Sequence, residues 1–150
     1  MNWERLQSER RVEARAANKK ELDELRAKIE RKLSNARLAK EGGLTADECF
    51  SIAYDAARLV SVLAVRAAGY RVLQVGAHYS TFLALGAAMG AAVKETVIYL
   101  DACRQRRNTE EYGRGRGDVT ARDASELLAE AEKLREKVEA WIAAEHPGLA

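Results

Sequence analysis

The residues most able to do chemistry are concentrated in one stretch, Val93 to Tyr112, which reads V-K-E-T-V-I-Y-L-D-A-C-R-Q-R-R-N-T-E-E-Y. On a helix, Val93, Val97 and Leu100 fall in one narrow arc. Carried forward two turns, that arc meets Arg104, Arg107, Asn108 and Glu111, with Asp101 and Tyr112 at its edge. A guanidinium is costly to bury unpaired, so these groups must face water, a cleft, a partner subunit or matched acids. One outcome is a helix that leaves the core with Asp101 and Glu111 pairing the arginines along its surface. The other is a polar cleft in which Arg104, Arg107 and Asn108 hold phosphate, arginine being a planar fork with fixed donors. The loop that follows, Gly113 to Asp118, adds Arg114 and Arg116 between glycines. It is read either as a solvated turn or as a basic flap over nucleic acid.

Other reactive side chains are few. His78 opens a short segment, G-A-H-Y-S-T, and is read first as a hydrogen-bonded structural histidine and second as an accessory group, like Asp101. Asp55 and Arg58 interrupt an otherwise apolar run and are read as a surface i,i+3 pair. Cys49 and Cys103 are the only cysteines, without a CxxC or a histidine placed to complete a metal site. They are expected to be buried reduced thiols. No P-loop and no GxGxxG after a strand is present. No metal or cofactor is expected.

The elements that position these residues are helical. Asn18 with Glu21 opens a helix whose Leu22, Leu25, Ile29, Leu33 and Ala36 keep a regular apolar spacing until Gly42-Gly43. The sequence T-A-D-E at Thr45 to Glu48 is a capping box. The helix it opens runs to Gly69 and is apolar around much of its circumference, predicting the most buried helix. A short helix lies between Gly76 and Gly90, then the Arg-rich helix, then one capped by Thr120 and Asp123 and ended by Pro147. The fold class expected is all-α, an up-and-down bundle of four main helices plus a short or N-terminal extra helix. Residues 1–18 are read as an N-terminal charged arm (a solvated helix, a fraying segment or an oligomer contact), 19–146 as the bundle and 147–150 as a tail.

Composition agrees. Alanine and leucine are abundant, with 47% hydrophobic and 32% charged residues and one proline in 150 residues, enough for one domain with a core. Net charge is only +2, but its distribution is uneven. Residues 1–40 carry 12 Lys/Arg against 7 Asp/Glu, residues 104–116 five arginines against two glutamates, and 120–146 four basic against seven acidic. With no signal-like start and Arg58, Arg66 and Arg71 taken to break the longest apolar run, no membrane span and a cytoplasmic location are expected.

The order of three pieces resembles the HEPN family of helical bundles, named for a nucleotide-binding domain of higher eukaryotes and prokaryotes. They are A-Y-D-A-A-R (Ala53–Arg58) followed by Gly69-Tyr70, then G-A-H-Y-S-T (Gly76–Thr81), then L-D-A-C-R-Q-R-R-N-T-E-E-Y (Leu100–Tyr112). The resemblance covers roughly residues 20–145. It implies a commonly dimeric α-bundle whose polar motifs share a cleft between protomers, and in many members a metal-independent ribonuclease. Such members are often toxins encoded beside a nucleotidyltransferase-like antitoxin. The family motif is an arginine, a polar residue and a histidine four to six residues after the arginine. Arg107 and Asn108 match the first two places, and Tyr112 stands at the third. A tyrosine titrating near pH 10 is a poor general base at neutral pH, where an imidazole serves well. By resemblance, then, the candidate catalytic residues are Arg107 and Tyr112, and the phosphate-binding set is Arg104, Arg107, Asn108, Arg114 and Arg116. The expected function is RNA or nucleotide binding with weak or absent cleavage, in a homodimer formed through the face bearing Arg104 and Arg107. The alternative is a non-enzymatic dimerisation or partner-docking module.

Overall fold

A computed structural model of the chain describes residues 2–74, 76–111 and 119–150, with 109–111 by backbone alone. Its helices are α1 (Trp3–Ser8), α2 (Lys19–Glu41), α3 (Ala46–Ala67), α4 (Ala77–Met89), α5 (Lys94–Glu111) and α6 (Ala121–Glu145). Two three-residue strands, β1 (Val12–Ala14) and β2 (Tyr70–Val72), form the only sheet among the described residues, and short 3-10 turns cover Gly90–Val93 and Pro147–Leu149. The chain is an all-α bundle in which α2, α3, α5 and α6 are the long helices.

The capping chemistry behaves as the sequence predicts. Asn18 accepts from the Glu21 N–H at the start of α2, and reciprocal capping boxes close the starts of α3 (Thr45 and Glu48) and α6 (Thr120 and Asp123). Each satisfies backbone donors that a bare helix start leaves orphaned. The second box is anchored from outside. Arg106 on α5 donates to Asp123 at 2.9 Å, and with the Thr120 bonds this holds the Asp123 carboxyl low, at about 2.

α3 is the axis of the bundle. It packs on α2, α4, α5 and α6, and Phe50, Ala53, Tyr54, Ala57, Val60, Leu63 and Ala64 along it are buried. Leu22, Ile29 and Leu33 meet it from α2, and Leu127, Ala131, Leu134 and Val138 from α6. On α5, Val93 just before the helix and Leu100 are buried, as the arc argument requires, while Val97 is half-buried.

Residues 2–17, expected as an arm, are folded onto the bundle. β1 pairs antiparallel with β2 in the register Val12↔Val72, Glu13↔Arg71 and Ala14↔Tyr70, with Glu13 and Arg71 ion-paired across it. Leu6 and Val12 are buried with Val65 and Ala84 in a second small core, and Trp3 stacks on Tyr70 at 3.9 Å with rings 6° apart. Gly69, at φ +91, makes the reversal from α3 into β2 that a side chain would strain.

Two further expectations are corrected. Cys103 is buried but Cys49 only half-buried; both thiols are free. Burial pushes the Cys103 thiol up to about 11, which makes it unreactive near neutral pH. The apolar run is also longer than expected, because the chain is uncharged from Val72 to Val93. The segment Ala77–Asn108 contains a window of mean hydropathy 1.4, of which 22% is buried, long and apolar enough by composition to cross a membrane. The fold divides that segment at Gly90. α4, with 13 residues, spans about 20 Å, against roughly 30 Å of bilayer hydrocarbon.

Candidate functional site

The polar end of α5 faces α3 and the start of α4. Arg107 donates from Nε to Ser51 Oγ at 3.1 Å, places Nη2 3.6 Å from Asp55 Oδ1 and lies over the Tyr54 ring, 4.9 Å from its centroid. Its side chain is 17% exposed. One turn earlier, Arg104 donates to Asp101 Oδ1 at 2.8 Å, lies 5.2 Å from the centroid of the Tyr79 ring and is 22% exposed. Asn108 is half-buried. These side chains are therefore partly buried where α5 meets α3 and the start of α4. Tyr112, Arg114 and Arg116 lie outside the described residues.

α3 contributes what the sequence analysis missed. Ser51, Asp55 and Arg58 are spaced i, i+4, i+7 and form one polar stripe on a greasy helix. That spacing was a signal available in the sequence. The expected surface pair of Asp55 with Arg58 does not form, because Asp55 turns to Arg107 instead. Arg58 keeps a buried Nε without a hydrogen-bond partner. Leaving such a donor dry and unpaired costs about 1–3 kcal/mol.

α4 brings His78 and Tyr79. Buried Tyr54 Oη and His78 Nδ1 are 3.1 Å apart. Burial raises the phenol's pKa well above its usual value, so its hydroxyl stays protonated. The hydroxyl and His78 Nδ1 share one hydrogen bond, whose direction is set by the tautomer of the imidazole. Burial also lowers the His78 pKa below 6.5, and the positive charges of Arg58 and Arg107 push it further down against the opposing pull of Asp55. The start of α4 has no side-chain cap, Gly76 occupying the N-cap with φ +64. The positive end of the helix dipole thus opens toward the cluster.

The folded N-terminal segment adds Arg11. It donates to Glu9 Oε1 at 3.0 Å and from Nη1 to Ser80 Oγ at 3.2 Å, and it lies 5.2 Å from the Tyr79 centroid. Arg11, Arg58, Arg104 and Arg107 thus gather beside three carboxylates, Glu9, Asp55 and Asp101, and Glu9 is shared with Arg5. Arginines outnumber carboxylates here among the described side chains. Among the described residues no group of three or more His, Cys, Asp or Glu is placed to hold a metal ion. Comparison of the chain with family models, curated proteins and solved structures found no match.

A pH dependence follows from His78. A bound anion would favour the imidazolium, so its pKa would rise on binding and a proton would be taken up. Affinity for a phosphate ligand should therefore increase as pH falls from about 7.5 toward 5.5, a range spanning the unperturbed histidine value. The His78→Gln variant should lose that slope. Titrations at fixed ionic strength check it.

Proposed function

We propose that the crevice between α3, α4 and α5 binds the phosphate groups of RNA or of a nucleotide, as an HEPN-like bundle whose cleavage activity is weak or absent. The observation that carries this is Arg58, a guanidinium with a buried, unpartnered Nε beside Arg107 and neutral His78. A guanidinium nitrogen left without a partner at Arg58, in a fold otherwise rich in matched ion pairs, supports a reading in which an anion arrives from outside. Arg104 and Arg107 supply forked donors.

The surroundings of His78 argue for holding over cutting. Cleavage needs a group to take the 2′-hydroxyl proton, whereas burial makes His78 a weaker base and Tyr54 already occupies its Nδ1. On the resemblance alone the proposal extends to an inactive or degenerate member of a toxin–antitoxin or defence system, a homodimer with its arginines toward the partner, with a nucleotidyltransferase-like antitoxin.

A second reading, a docking module without nucleic acid, is favoured by Ile98, 63% exposed on α5, and Tyr79, 38% exposed beside Arg104. Salt separates the two. Binding of a fluorescent single-stranded RNA in EDTA should weaken log-linearly with salt, by about 0.7 per phosphate contact. A helix seam between proteins would respond little. No RNA bound at low salt, together with a dimer lost in Arg107→Ala, would establish the docking reading instead. RNA cleavage in EDTA that Arg107→Ala abolishes would overturn the assignment of weak or absent activity.

A further inference from the structure

Arg11 and Arg104 reach the same tyrosine from opposite ends of the sequence. Each guanidinium carbon lies 5.2 Å from the Tyr79 centroid, so the two can be no farther apart than twice that distance. Two like charges held this close over one ring repel, and the ring's negative face offsets only part of that. Each meets its acid through Nε. Arg104 engages Asp101 through Nε, while Arg11 engages Glu9 through Nε and Ser80 through Nη1. In the described hydrogen bonds both Nη groups of Arg104 and Nη2 of Arg11 are left for a further acceptor.

This pair adjoins the first cluster. Tyr79 follows His78 in the chain, and Arg104 precedes Arg107 by three residues, about 4.5 Å along the axis of α5. The arginines thus fall into two neighbouring groups, Arg58 and Arg107 acting on Tyr54 and His78, and Arg11 and Arg104 at the Tyr79 ring.

We propose that these groups are successive phosphate subsites for a single-stranded polynucleotide, the second of them completed by the N-terminal segment. The inference rests on the reading of the crevice as a phosphate site and narrows its ligand from nucleotide to strand. Tyr79 is a positioning residue, holding the two guanidiniums over one ring. Lysine could supply the charge but not the planar fork that lies on an aromatic face.

The test is a length series: uridine monophosphate, the 5′-phosphorylated uridine dinucleotide and a uridine hexanucleotide, measured by calorimetry or competition against the wild-type protein, Arg11→Gln, Tyr79→Leu and Arg107→Ala. Arg11→Gln should weaken the hexanucleotide by about tenfold, the effect of one lost charged contact, and the mononucleotide by less. Its salt slope for the hexanucleotide should fall by about 0.7. Tyr79→Leu should show the same length dependence, which a loss of folding would not, since mononucleotide binding reports an intact crevice. Arg11→Gln weakening all three ligands equally, or none of them, overturns the second subsite. If Arg107→Ala still weakens every ligand in that case, the phosphate-binding function stands without it. If no ligand binds the wild-type protein, both fall.

Discussion

Arg66→Ala is expected to lower the stability of the fold by about 3–5 kcal/mol, the range seen when one partner of a buried charge network is removed. Arg66 is nearly buried near the end of α3 and ties together segments far apart in sequence. Its Nη1 donates to the carbonyls of Arg15 and Tyr70, each at 2.7 Å, and Nη2 to that of Ala16 at 3.2 Å. Nε and Nη2 grip the Glu21 carboxylate at 2.6 and 3.2 Å. Glu21 is partly exposed and can be rehydrated, so the loss falls mainly on the three carbonyls, which give up a charged donor. The substitution should therefore do more than shift the midpoint. It should release residues 2–17 from β2, seen as faster proteolysis or amide exchange there before global unfolding. Urea denaturation with exchange measured by mass spectrometry would decide. A loss under about 1 kcal/mol with the N-terminal segment still protected would show that the sheet and the Trp3–Tyr70 stack hold it without Arg66.

How far the sequence revealed this architecture depended on the range of the interactions involved. Capping boxes at Thr45 and Thr120, the Gly42-Gly43 stop and the 3.6-residue apolar spacing are local signals, and the helices they mark are present. Residues 2–17 carry little of this beyond the Asn2 cap that opens α1. Strands of three residues are too short to alternate legibly, and the partners of Val12 and Leu6 lie near residues 65, 72 and 84. On α5 the change from an apolar to a basic arc was visible, because one helix holds both halves. What that arc faces was not, since Ser51, Asp55 and Arg58 come from α3, His78 and Tyr79 from α4, and Arg11 from the N-terminal segment. Treating Asp55 and Arg58 as partners hid the more informative arrangement, in which Asp55 serves Arg107 and Arg58 is left over.

That leftover charge leads to a pair of opposed outcomes. Arg107→Ala removes a forked donor from the crevice and should weaken single-stranded RNA binding by about 10- to 100-fold, the effect of one or two charge-assisted hydrogen bonds. Its effect on stability should be small, because its contacts with Ser51 and Asp55 are partly exposed. Arg58→Met should also weaken binding, by about tenfold, yet raise stability by about 1 kcal/mol. Methionine fills similar space and removes a buried donor that has nothing to bond. His78 should report the same event. With the Arg58 charge gone its pKa should move back up toward 6.5, visible in its ring-proton NMR titration. Stability and affinity moving in opposite directions at one residue is what a site maintained at the expense of the fold produces. If Arg58→Met instead destabilises the protein and leaves RNA affinity and the His78 titration untouched, Arg58 is a packing residue and the crevice has no unbalanced charge to offer a phosphate.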